Sequence, residues 1–329
     1  MADFIRIPQN TAPDGAEVFD FKSADGAGLR GATFETENPR GCVVLMSGRS
    51  EFIEKYFEVI SELQTRGFSV AMMDWRGQGL SERLLPVHEK GHITDFGAYR
   101  ADLCSFTEDY AVKKFPGPYF LMTHSMGGVP ALQLLADGYD RFNAAVLCAP
   151  MTQLFSSAVK RGIVKGIAEL ACRLGGARRS IPGVKEHSID FDGNVLTSDK
   201  IRHNRFRELQ AVAPNAIIRE PTYGWMKAAV DAMEDLHKPG RFEALKTPVR
   251  IISAEDDQLV DSDDHATIAE QSRLIDRVVI DGALHEILME QDTFRVAYWD
   301  AFDAFVEPLI AAHEPQIVAD DKVERSSPA

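Results

Sequence analysis

Continuous apolar runs of strand length alternate along this 329-residue chain with stretches of helical period, and that alternation restricts the fold more than any other feature. Residues 42–46, 68–73, 119–123 and 144–148 are such runs; 56–66, 96–112 and 127–136 carry apolar side chains at three- and four-residue spacing. A strand without a polar face must be covered on both sides, which calls for a parallel sheet between two layers of helices. Two further strand-like runs, 17–21 and 29–34, precede this pattern.

The alternation stops at Pro150 and resumes with a strand at 249–253, a helix near 265–272, a strand at 277–280 and a long helix from Phe294 to Ala311. What lies between is helical in character and more polar, with breaks at Gly175-Gly176, Pro182-Gly183 and Pro214. The order predicts one sheet domain, residues 1–150 and 241–312, interrupted by a helical cap over 151–240. Residues 313–329 are polar and end in Ser-Ser-Pro-Ala, which predicts a disordered tail.

Charge and cysteine usage narrow the setting. With 36 Lys and Arg against 50 Asp and Glu, the net charge is −14, the wrong sign for a general nucleic-acid binder. The first ten residues lack the basic and apolar pattern of a secretory leader. No apolar run approaches the roughly 20 residues of a spanning helix. Cys42, Cys104, Cys148 and Cys172 lie far apart, three of them in apolar segments, and read as free thiols of a reducing, cytoplasmic protein.

The run 119–123 leads through Thr123-His124-Ser125-Met126-Gly127-Gly128 into a helix. A serine on a sharp strand-to-helix turn is held in a strained backbone that exposes its hydroxyl, and small residues two positions away let strand and helix pass. Gly127 meets that need; Thr123 stands where glycine is usual. The plain alternative is a helix-capping serine.

A serine hydroxyl is a weak nucleophile and needs a base and an orienting acid. On a sheet of this kind both follow the serine, on loops after later strands, acid first. The strand at 249–253 runs into Glu255-Asp256-Asp257 and the strand at 277–280 into Asp281-Gly282-Ala283-Leu284-His285. His285 is the base; Asp257 is the acid, with Asp256 the alternative. The other histidines fall inside helices, in the cap or at the tail, and His124 is expected to point away from Ser125. His88 and His92 share a loop without a third ligand, so no metal and no cofactor are expected. The oxyanion hole requires two backbone N–H groups. Met126 follows the serine, and Arg49 lies in the loop Ser47-Gly48-Arg49-Ser50-Glu51 after the strand at 42–46.

With these residues assembled, the chain resembles the monoacylglycerol lipase and bacterial lysophospholipase branch of the α/β-hydrolases, from about residue 28 to 311. The marks are Gly48-Arg49-Ser50-Glu51, Asp74-Trp75-Arg76-Gly77-Gln78-Gly79-Leu80-Ser81, the serine turn and Gly282-Ala283-Leu284-His285-Glu286. In the cap, Leu196-Thr197-Ser198-Asp199 and Pro221-Thr222-Tyr223-Gly224-Trp225 are similar to the bacterial lysophospholipases. The resemblance implies the α/β-hydrolase fold, places the acid at Asp257, and implies hydrolysis of a single-chain acyl ester through an acyl-enzyme. Ser47-Gly48, where monoacylglycerol lipases carry His-Gly, is closer to the lysophospholipases. The alternatives are a small-ester esterase or serine peptidase on the same machinery, the peptidase needing carboxylates in the cap, and a non-catalytic binding relative.

The cap is expected to cover the site, with Tyr223, Trp225 and Phe155 lining an acyl pocket. Residues 151–185 hold seven Lys and Arg against Glu169 alone. Phe155, Val159, Ile163, Ile167, Leu170 and Leu174 form a stripe at helical spacing. That stripe either packs on the core or rests on anionic lipid at the inner face of the membrane.

Overall fold

A computed structural model describes residues 2–183 and 190–324, with side chains through residue 312. Ten strands form in chain order: β1 Ala16–Lys22, β2 Gly28–Phe34, β3 Gly41–Met46, β4 Phe68–Asp74, β5 Lys90–Gly91, β6 Tyr119–His124, β7 Ala144–Cys148, β8 Glu220–Pro221, β9 Val249–Ala254 and β10 Ile275–Ile280. The helices are α1 Phe57–Thr65, α2 Gly97–Phe106, α3 Gly128–Ala136, α4 Ala158–Arg173, α5 Lys200–Val212, α6 Tyr223–Leu236, α7 Asp264–Ala269 and α8 Asp292–Glu324.

Eight strands make one sheet in the order β1-β2-β4-β3-β6-β7-β9-β10. From β4 to β10 neighbours run parallel; β2 joins β4, and β1 joins β2, antiparallel. The continuous apolar runs are the parallel strands, and the period-2 geometry of a strand divides each between two cores. Val44, Leu121 and Leu147 enter the core under α2, α3 and α6. Val43, Phe120 and Val146 enter the core under α1 and α8.

After β3 the chain adds β4 on one side, then crosses to place β6 on the other. Loops leaving the carboxyl ends of β3 and β6 therefore part in opposite directions, and a crevice opens between them. Ser125 follows β6 directly, so connectivity alone sets it at that crevice.

Three features depart from the sequence reading. The helix expected over 96–112 is α2 followed by a wider π-helical turn, Thr107–Val112. Strands β5 and β8 pair in a two-stranded parallel sheet too short to carry a periodic signal. The disordered tail expected from His313 is corrected for residues 313–324, which continue α8; Gln316–Glu324 contains no glycine or proline to end it. Residues 325–329 lie outside those described. All four cysteines are free thiols. Among the described residues, no helix is long and apolar enough to cross a membrane.

Candidate active site

Ser125 sits at φ 48°, a left-handed conformation that costs a non-glycine residue energy. The turn holds because its neighbours leave no alternative. A Cβ on Gly127 would lie 2.6 Å from the Ser47 carbonyl oxygen, and one on Gly128 2.5 Å from Pro150 Cβ. The Ser125 carbonyl accepts from Met151 N–H at 3.0 Å, which ties the turn to the loop after β7.

Three loops bring the predicted side chains together. Ser125 Oγ lies 2.9 Å from His285 Nε2, and His285 Nδ1 lies 2.6 Å from Asp257 Oδ2. The second carboxylate oxygen, Asp257 Oδ1, accepts from Leu259 and Val260 N–H at 2.8 and 3.0 Å. Burial works to raise the Asp257 carboxyl, but the adjacent His285 and these bonds outweigh it and hold the group below the usual carboxylate range. Asp256 is exposed and uses its backbone N–H on the Ala283 carbonyl. His265, deep in the core, links Ser253 Oγ (2.8 Å) to the Pro150 carbonyl (2.7 Å), and burial lowers it to about 4, a neutral structural group. His92 holds Thr222 Oγ1 at 2.8 Å.

The loop 47–51 reaches the nucleophile because Gly48 allows it: a Cβ there would lie 3.1 Å from Ser125 Cβ. Two residues of the motif after β4 pin this loop. Trp75 Nε1–H donates to the Ser47 carbonyl at 2.8 Å, and Gln78 Oε1 accepts from Ser50 N–H at 2.8 Å. Gly77 and Gly79, at φ 75° and 53°, make the turn that aims Gln78. The arrangement sets the loop of Gly48 and Arg49 against Ser125.

Sequence reasoning missed a buried ionic group behind the site. Glu51 accepts from Gly48 N–H (2.5 Å) and Tyr56 Oη (2.7 Å), and pairs with Lys55 Nζ (2.6 Å), which also meets Glu286 at 2.6 Å. His124 belongs to the same group: its Nδ1 lies 3.3 Å from Glu51 and its ring 5.0 Å from that of His285. Burial opposes charge on both groups, yet Lys55 and His124 keep Glu51 well below the carboxylate range, and Glu51 raises His124 against the opposing charge of Lys55. The spacing Glu51-x-x-x-Lys55 is the only signal of this group in the sequence, and on its own it reads as a helical surface pair.

Cap and core enclose a chamber of about 370 Å³ over Ser125 and His285. Phe155 and Trp225 line it as expected. Tyr223 does not: two positions from Trp225 on the first turn of α6, it points to another side of the helix. Cap segment 196–199 rests on the loop carrying His285. The Leu196 carbonyl accepts from Glu286 N–H (2.8 Å), and Thr197 Oγ1 donates to the Met289 carbonyl (2.7 Å).

The stripe on α4 faces outward. Val159, Ile163, Ile167, Leu170 and Leu174 are 53–78% exposed, while Ala168 is the buried residue of the helix. Phe155, before the helix, turns into the chamber instead.

A parallel sheet flanked by helices, with a serine on the tight turn after β6, an acid after β9 and a histidine after β10, is the α/β-hydrolase fold with a Ser-Asp-His constellation. Residues 37–292 match the family described as Serine aminopeptidase, S33 (Hydrolase_4), and the chain belongs to that family. It is 30% identical over 289 residues to lysophospholipase L2 of Escherichia coli K12, covering 84% of this chain and 83% of that protein. To phospholipase YtpA of Bacillus subtilis it is 26% identical, covering 70% and 80%. Among solved structures, the monoglyceride lipase of Saccharomyces cerevisiae superposes with a TM-score of 0.71 at 19% identity, over 93% of this chain and 100% of that one.

Proposed function

We propose that this protein hydrolyses carboxylic esters of single-chain lipids, a lysophospholipid or a monoacylglycerol, through an acyl-enzyme on Ser125. The observation that carries this is the continuous relay from Ser125 Oγ through His285 to Asp257, opening into a largely apolar chamber. Ser125 Oγ attacks the ester carbonyl as its proton passes to His285 Nε2, and Asp257 holds the imidazole by accepting from Nδ1–H. The Arg49 and Met126 backbone N–H groups take the oxyanion. His285 returns the proton to the departing alcohol oxygen. It then removes one from a water, whose oxygen attacks the acyl carbon and frees the fatty acid and Ser125.

The lysophospholipase and monoglyceride lipase relatives support a lipid ester over a peptide, although the family carries a peptidase's description. So does the cap: among the described residues, those it contributes to the chamber include no carboxylate to hold a substrate amine. The outward stripe of α4, next to exposed Lys160, Arg173, Arg178 and Arg179, supports docking of the cap on anionic lipid.

The test is fluorophosphonate labelling together with a panel of acyl esters of graded chain length. Labelling at Ser125, turnover that favours long chains, and loss of both in Ser125→Ala are expected. Ser125→Ala and His285→Ala should each lower turnover on the order of 10⁶-fold, and the double variant little further, because the residues act as a unit. Turnover that survives His285→Ala above a few per cent would falsify the assignment.

A further inference from the structure

A buried ammonium joins two of the loops that carry the reaction. Lys55 Nζ meets Glu51 Oε1 and Glu286 Oε1, each at 2.6 Å, and none of the three side chains is more than 10% exposed. Glu51 belongs to the loop after β3 and Glu286 to the loop after β10; β6, which leads into Ser125, lies between those strands in the sheet. Each end of this group falls on a residue next to one that the reaction uses. Glu51 Oε2 accepts from the N–H of Gly48, which precedes Arg49, at 2.5 Å. It also lies 3.3 Å from Nδ1 of His124, which precedes Ser125, and His124 Nε2 lies 3.4 Å from the His285 carbonyl oxygen. Glu286 follows His285 directly.

Stability does not account for such a group. Ions lose their hydration on burial, and apolar side chains of similar volume often hold a core as well or better. What the ions add is direction: a carboxylate bonded through both oxygens has one position, whereas packed apolar chains can slide. Glu51 is bonded in this way, Oε1 to Lys55 and Oε2 to Gly48 N–H and Tyr56 Oη. Burial works to discharge Lys55, but Glu286 and Glu51 keep it protonated. Phe206 of α5 covers it, the ring centre 4.6 Å from Nζ. Among the described residues, Glu51, Phe206 and Glu286 line the chamber and Lys55 does not, so Lys55 bears on the reaction only through its partners.

We propose that Lys55 is a positioning residue for ester hydrolysis: held between Glu51 and Glu286, it fixes the loop of the oxyanion donor Arg49 relative to the loop of the base His285. This rests on the ester-hydrolase reading and deepens it. The oxyanion donor and the base act on one carbonyl group, so their separation must be set before the ester arrives, and a misplacement of about 1 Å can cost on the order of 100-fold in rate. Binding of the acyl chain in the chamber does not depend on that separation.

The test follows p-nitrophenyl butyrate turnover, with competent enzyme counted by titrating Ser125 to completion with a fluorophosphonate. Glu286→Met cuts the base loop from Lys55 and leaves the Lys55–Glu51 pair whole; Lys55→Met/Glu286→Met removes one charge of each sign. In both, kcat per titrated serine should fall roughly ten- to hundredfold while KM stays within about twofold. A trifluoromethyl ketone reports the oxyanion directly. Ser125 Oγ adds to its carbonyl carbon as the hydroxyl proton passes to His285, leaving a hemiketal oxyanion, and its affinity should fall by the same factor as kcat/KM. Glu286→Gln, whose amide oxygen can still accept from Lys55, should recover most of the loss seen in Glu286→Met. The two single variants decide the question even where the double variant does not fold. A lower melting temperature with kcat per titrated serine unchanged would make the group structural only and overturn the proposal. So would a loss confined to KM, or a ketone affinity that does not follow kcat/KM. A wild type that turns over no ester and takes no fluorophosphonate overturns the hydrolase reading itself.

Discussion

Asp256 and Asp257 are adjacent carboxylates on one loop, and their difference is orientation. Asp257 has both oxygens committed, one to His285 Nδ1 and one to two backbone N–H groups, whereas Asp256 is exposed. Asp257→Asn should lower turnover by roughly 10⁴-fold, because an amide that donates to Nδ1 leaves the wrong tautomer facing Ser125. Asp256→Asn should be mild, and the reverse ranking in steady-state kinetics would move the acid. The residues that make bonds are legible in the sequence here, because a nucleophile, acid and base in fixed order after strands leave few candidates. The residues that hold them are not. Glu51, Lys55, His124 and Glu286 meet only because the β3, β6 and β10 loops converge, and nothing in their local spacing records that. Trp75 and Gln78 sit in a motif that stands out in the sequence, but their task, pinning the loop of Gly48 and Arg49, depends on where β4 ends beside β3.

At the scale of elements, α4 shows what periodicity can and cannot tell. Three- and four-residue spacing identifies the stripe, yet which face is packed is decided by side-chain size against the neighbour. α4 approaches α6 through the small Ala168, and the larger Ile163, Ile167 and Leu170 are left outside. Two of the basic residues that the sequence assigns to the lipid face are engaged elsewhere: Lys165 pairs with Glu234 at 2.6 Å, and Arg161 donates to the Phe155 and Ser156 carbonyls. The charge available to a membrane is therefore chiefly that of Lys160, Arg178 and Arg179, with the exposed Arg173 shared with Glu169 at 3.5 Å. Moving an aliphatic side chain of the stripe out of water contributes about 1.5–3 kcal/mol at full burial, more than the roughly 1 kcal/mol of one surface Lys or Arg. In co-sedimentation with phosphatidylglycerol vesicles, Ile167→Asp/Leu174→Asp should abolish binding. Lys160→Glu/Arg173→Glu should weaken it and reduce its dependence on salt. Equal binding of the wild type to anionic and neutral vesicles would exclude a contribution from the basic residues, and no loss in the aspartate variant would leave α4 without a membrane role.

Across the whole molecule the cap is held unevenly. Its α5 half is fastened to the core by charge: Glu58 on α1 binds Arg202 and Arg205 from α5 and Arg295 from α8, and Arg202 also meets Asp292 at 2.7 Å. Its α4 half packs on α6 and turns its apolar stripe outward. Burial works to raise the Glu58 carboxyl, but its bonds to Arg202 and Arg205 overcome this and bring it from an ordinary 4.5 down to about 2. A carboxyl whose value is lower folded than unfolded stabilises the fold fully above the unfolded value and ceases to as pH falls through the folded one. The fastening of α5 should accordingly weaken between pH 4.5 and about 2 while the sheet persists. Glu58→Gln should reproduce the loosening at neutral pH. The measurement is amide hydrogen exchange, comparing α5 with α3 in the same sample so that the intrinsic pH dependence of exchange cancels. In the variant, protection should fall across Lys200–Val212 and hold across Gly128–Ala136. Equal loss in both helices would mean that Glu58 supports the fold as a whole, and unchanged protection in α5 would mean that its attachment depends on packing rather than charge.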